Sequence, residues 1–210
     1  AYIYFGGQTM NNTADVILTA EAAGDQFGYS VSTAGDINGD GYSDVIIGGS
    51  RNDIGGIDRG RAYIYFGGQS MDNIADVVLT GDDLGDTFGN SVSTAGDVNG
   101  DGYSDVIVGA ANEDTGGANA GSAYVFYGGS TMDVNADVIP RGDAASDQFG
   151  LSVSEAGDIN GDGYSDVIVG ALRNDAGGIE AGRAYIYFGG SSMNNTSDVI
   201  LTGAAANDLF

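Results

Sequence analysis

Three nonapeptides carry the side chains best suited to chemistry: DINGDGYSD at 36–44, DVNGDGYSD at 97–105 and DINGDGYSD again at 158–166. Side-chain oxygens stand at positions 1, 3, 5 and 9 of each. These are Asp36, Asn38, Asp40 and Asp44; Asp97, Asn99, Asp101 and Asp105; and Asp158, Asn160, Asp162 and Asp166. Position 7 (Tyr42, Tyr103, Tyr164) can offer its backbone carbonyl. Position 6 is Gly41, Gly102 or Gly163, which permits the sharp turn that swings both ends around one point. Hard oxygen ligands, a mixture of carboxylate and amide, and a glycine hinge describe a loop for Ca2+, one ion per repeat. Mg2+ fits less well, because it prefers to keep several waters in a strict octahedron. Zinc and copper favour His or Cys, and this chain has neither.

Two other readings compete. An Asn/Gly/Asp turn can form without a metal, but packing three carboxylates into one turn with no cation builds in repulsion at every copy. A helical calcium loop needs a carboxylate at position 12 and a following helix. Position 12 here is Ile47, Val108 or Val169, each inside a β-branched run. The loop therefore closes on its ninth residue and joins two strands.

The elements that must hold these loops repeat with them. Asp36, Asp97 and Asp158 stand 61 residues apart, and so do Phe27, Phe88, Phe149 and Phe210. No insertion or deletion interrupts the step, which sets units at 28–88, 89–149 and 150–210, with 1–27 as the second half of a preceding unit. In the first unit, SVSTAGD (30–36), SDVIIGG (43–49), GRAYIYFGG (60–68) and ADVVLTG (75–81) read as four short strands parted by Gly, Asn and Asp clusters. No apolar stripe of helical period runs through them. Four strands per tandem repeat predict an all-β chain of propeller blades, three full and one half, each of four antiparallel strands. A β-solenoid is the rival, though its repeats are usually shorter.

Composition narrows the function. The 210 residues carry a formal charge of −24, and all six cations are arginine. Such a chain repels phosphate backbones, which argues against nucleic acid and anionic membrane surfaces as partners. No apolar run reaches membrane-spanning length, so insertion is not expected. Without Cys there are no disulfides and no thiol chemistry. Without His or Cys the acid/base candidates are mainly carboxylates and tyrosines, and the obvious carboxylate pairs sit in the loops; an enzyme is not expected. The chain opens inside a strand pattern, AYIYFGG, without Met, so the absence of a leader carries no information.

In this order, Phe27-Gly28, the loop, VIIGGS and GRAYIYFGG resemble the FG-GAP repeat of integrin α-subunit β-propellers and their bacterial relatives. The later units repeat it with VIVGAA and VIVGAL, so the resemblance covers the whole chain. The Gly-Ala-Pro triplet departs from the pattern, reading Gly48-Gly49-Ser50, Gly109-Ala110-Ala111 and Gly170-Ala171-Leu172. The resemblance implies a calcium loop between the first two strands of each blade, at one rim of a ring. It implies Phe-Gly pairs packed between strands or blades, and a secreted or surface-displayed adhesion or ligand-binding role. A protein or glycan ligand follows. Lectin propellers and structural subunits of surface fibres are the alternatives.

Other features are weighed against plainer roles. Arg141-Gly142-Asp143 spells a tripeptide that integrins recognise, but it falls where other units end their fourth strand. Asp25, Asp86, Asp147 and Asp208, like Asp15, Asp76, Asp137 and Asp198, recur at the step and are expected to bond backbone amides in turns, with a second ion site as the alternative. Arg51-Asn52-Asp53 and Arg173-Asn174-Asp175 read as loops. An integrin-type ring has seven blades, so three and a half imply self-association through open edges or continuation of a longer array.

Overall fold

The computed structural model describes residues 1–7 and 11–210, and 13 β-strands lie among them. β1 (Tyr2–Ile3) and β2 (Val16–Ile17) form a two-stranded sheet. β3 (Phe27–Gly35), β4 (Asp44–Gly49), β5 (Arg61–Tyr65) and β6 (Val77–Thr80) form a four-stranded one, in chain order and antiparallel throughout. β10 (Phe149–Gly157), β11 (Asp166–Ala171), β12 (Arg183–Tyr187) and β13 (Val199–Thr202) repeat that arrangement. No helix is long and apolar enough to cross a membrane. Each acidic loop joins the first two strands of its sheet, which is the placement expected from its ninth-residue closure.

The middle sheet differs from expectation. β7 (Ser91–Gly96), β8 (Asp105–Ala110) and β9 (Ser122–Phe126) are regular, but only isolated bridges at Val138 and Arg141 stand where a fourth strand was expected. Pro140 explains the loss. In the flanking sheets the same position is Leu79 or Leu201, in register with Ala62 or Ala184. Pro140 accepts a bond from the Ala123 amide at 2.9 Å, but has no N–H to return one. The outermost strand is the place where a sheet tolerates proline.

β7 lies against β3 on one side and β10 on the other, so the first strands stand side by side along the array. The core lies between the sheets. Ile37, Ile46 and Leu79 of one blade bury against Val92, Tyr124 and Phe126 of the next. Val98, Ile107 and Val125 then bury against Val153, Tyr185 and Tyr187. Phe88 and Phe149, fully buried, meet Tyr124 and Tyr185 edge to face at 5.3 and 5.2 Å. Such pairs add about 0.5–1.5 kcal/mol beyond burial. Gly48 and Gly109 permit this approach: a Cβ there would overlap the carbonyl oxygen of Gly89 or Gly150 in the next blade.

Candidate metal centre

The loop sequence folds onto its own carboxylates. Asp36 accepts from the amides of Gly39 and Asp40 at Oδ1, at 2.8 and 3.0 Å, and from Gly41 at Oδ2, at 2.9 Å. Gly39 and Gly41 reach this path with φ of 75° and 89°, a region open to glycine. Asn38 Oδ1 takes the Asp40 amide, and Asp40 Oδ1 takes the Tyr42 amide. Asn38 and Asp40, positions 3 and 5, touch through their side chains at 3.1 Å. The same bonds recur around Asp97, Asn99 and Asp101 and around Asp158, Asn160 and Asp162.

The ninth residue is built differently. Asp44, Asp105 and Asp166 are buried. Each carboxylate bridges two amides, one from its own loop (Ile37, Val98, Ile159) and one from the turn after the third strand (Gly67, Gly128, Gly189), at 2.7–3.0 Å. Burial pushes Asp105 up to about 7 against these two bonds, and the neighbouring Asp101 and Asp97 push the same way. Asp44 is raised for the same first reason.

The donor set fits a hard divalent cation. Each loop offers three carboxylates and an amide oxygen. A carboxylate has about four acceptor sites, and the amides leave some free. Among the described residues no arginine pairs with a loop carboxylate: the ion pairs are Arg61–Glu21, Arg141–Glu113, Arg173–Glu180 and Arg183–Asp143. Positions 1, 3 and 5 spend bonds on their own amides, and among the described residues no group of three carboxylates is gathered closely enough to share an ion. Ligation would therefore draw the side chains of positions 1, 3 and 5 toward that of position 9.

The remaining acidic residues have other work. Asp25, Asp86, Asp147 and Asp208 each accept the amide three residues earlier. Asp15, Asp76, Asp137 and Asp198 each accept the amide ten residues earlier, tying the end of a third strand to the start of a fourth. Asn52, read as a loop residue, is buried, and its amide nitrogen reaches Glu21, Asp25 and Tyr63. Asn174 is likewise buried on Asp147 and Tyr185. Both charges of Arg141-Gly142-Asp143 are engaged. Arg141 pairs with Glu113 at 3.2 Å, and Asp143 takes the Tyr185 hydroxyl at 2.9 Å and lies 3.6 Å from Arg183.

Glu113 went unremarked in the sequence. It holds the position of Asn52 and Asn174 in the repeat and is buried against Thr115 and Ser122. Burial pushes its carboxyl up, yet these hydrogen bonds and Arg141 together hold it below the usual range. The available signal was triple: Asn52, Arg61 and Thr80 recur as Asn174, Arg183 and Thr202, while the middle unit reads Glu113, Ser122 and Arg141.

A family model described as "FG-GAP repeat" matches residues 27–65, 88–126 and 149–187, together more than half of the chain. Integrin alpha-5 of Xenopus laevis is 34% identical over 199 residues, covering 88% of this chain and 19% of its own length. Integrin alpha-PS5 of Drosophila melanogaster is 31% identical over 76% of this chain and 16% of its own, and human integrin alpha-11 33% identical over 79% and 14%. The chain thus spans less than a fifth of the length of these relatives.

Proposed function

The chain belongs to the FG-GAP repeat family, and on that premise we propose that it is a calcium-stabilised run of propeller blades for extracellular or cell-surface adhesion, holding a protein or glycan ligand and catalysing nothing. The repeating units are 28–88, 89–149 and 150–210. Ca2+ would be held by Asp36, Asn38, Asp40, the Tyr42 carbonyl and Asp44, and by the corresponding residues from Asp97 to Asp105 and from Asp158 to Asp166. One observation carries the reading: three adjacent loops each carry three carboxylates, and among the described residues no arginine pairs with any of them. The bound ion would neutralise that charge and draw a polar, glycine-rich loop into one conformation. Binding energy then becomes folding energy.

Thermal unfolding with Ca2+ and with a chelator tests this. At an ion concentration 100 times Kd, each occupied loop adds about 2.7 kcal/mol. For a chain of this size that raises the midpoint by roughly 5–10 °C per loop. A midpoint that does not move on chelation refutes the proposal.

A further inference from the structure

The three loops are joined to one another. Gly128 and Gly129, after the third strand of the middle blade, present consecutive amides. Gly128 donates to Asp105 of its own loop at 2.8 Å, and Gly129 donates to the Ile37 carbonyl of the preceding loop, also at 2.8 Å. Ile37 in turn donates its amide to Asp44. One blade on, Gly189 donates to Asp166 and Gly190 to the Val98 carbonyl, while Val98 donates to Asp105. A single chain of hydrogen bonds thus runs through the ninth-position carboxylates Asp44, Asp105 and Asp166.

A second contact reinforces it. Ser104, between positions 7 and 9 of the middle loop, donates its amide to the Asp36 carbonyl at 3.0 Å and accepts the Asp36 amide on its hydroxyl at 3.2 Å. The ring of Tyr103 lies over Gly39, where a Cβ would stand 2.6 Å from it. One blade on, Ser165 donates its amide to the Asp97 carbonyl at 3.0 Å, and the ring of Tyr164 lies over Gly100.

We infer that adjacent loops bind Ca2+ cooperatively, with Tyr103 and Ser104, and then Tyr164 and Ser165, as the positioning residues that couple each loop to the one before it. The inference rests on the calcium reading above. Ligation at Tyr103 and Asp105 fixes the two residues flanking Ser104, and so holds the backbone of Asp36, the first ligand of the preceding loop. Linkage makes the effect reciprocal: filling either loop strengthens the other by the same factor. Loops 36–44 and 158–166 are not neighbours and have no such path of their own.

Calorimetric titration with Ca2+ of two silenced proteins tests it. D158N/D162N leaves two adjacent loops, and D97N/D101N leaves two separated ones. The adjacent pair should fill with a Hill coefficient above 1 and a coupling of about five-fold, and the separated pair with a coefficient of 1. Adding Y103A/S104A to the adjacent pair should keep two sites and abolish the coupling, whereas Y42A/S43A, the same change in the loop with no loop before it among the described residues, should leave the coupling intact. Two ions bound independently by the adjacent pair overturn the inference and leave the calcium reading standing. No ion bound by the unmodified protein overturns both.

Discussion

Loops 36–44 and 158–166 have the same nine residues and different surroundings, whereas the boundaries around Asn52 and Glu113 have different residues and the same task. Ile37 is fully buried under the next blade, while Ile159, its twin in sequence, is 52% exposed. At Glu113 the arginine has crossed from the third strand, where Arg61 and Arg183 sit, to Arg141 after the third, yet an acid and a guanidinium still meet. Both contrasts teach that the boundary between blades decides what a residue does. The same segment buries its isoleucine where another blade packs on it, and an environment can be rebuilt from different residues.

The strongest way to break the first contrast is at the closest approach. Gly109→Ala would drive a methyl into the Gly150 carbonyl, and should abolish cooperative unfolding in calorimetry. Gly170→Ala meets nothing nearer than the Ser152 Cβ at 3.6 Å, and should leave the midpoint within about 2 °C. Next comes the isoleucine pair. Ile37→Ala should cost about 3 kcal/mol in denaturant unfolding, and Ile159→Ala under about 0.5 kcal/mol. Equal losses would mean that the next blade is not what buries Ile37.

The second contrast is sharpened at the moved arginine. Arg141→Ala leaves Glu113 its hydroxyl partners but no cation, and should cost about 1–2 kcal/mol by urea titration. Rewriting the boundary in its neighbours' pattern, E113N/S122R/R141T, should recover stability to within about 0.5 kcal/mol. The smallest effect concerns Asp86, buried at a boundary, against the exposed Asp208. Burial pushes Asp86 up to about 6. A carboxyl raised on folding gives stability that is full below its unfolded pKa and lost as pH rises through the folded one. Asp86→Asn should therefore raise the midpoint by a degree or two (roughly) at pH 7 and not at pH 4.

What could be read from the sequence was local. Strand, acidic turn and strand follow from Asp36, Gly41 and the run Val45–Ile47, because neighbouring residues determine them. The recurring aspartates kept the amide-bonding role expected of their spacing. What escaped depends on contacts between blades. Pro140 was visible as a residue, but its effect depends on which strand it faces. Asn52 looked like solvated loop because its partners, Glu21 and Tyr63, lie 31 residues before it and 11 after. The partners that engage Arg141 and Asp143, namely Glu113 and Tyr185, are out of sight in the linear chain.

The core that lies between the sheets has a consequence for cutting and extending the molecule. A single unit excised at its repeat boundaries would carry four strands and half of two cores, with nothing to bury either against. A pair of blades would keep one complete layer, such as that of Ile46 and Val106, and should be the smallest piece to unfold cooperatively. Lengthening the array by one repeat adds one layer and leaves the others unchanged, so stability should grow in near-equal steps, like a polymer of identical links.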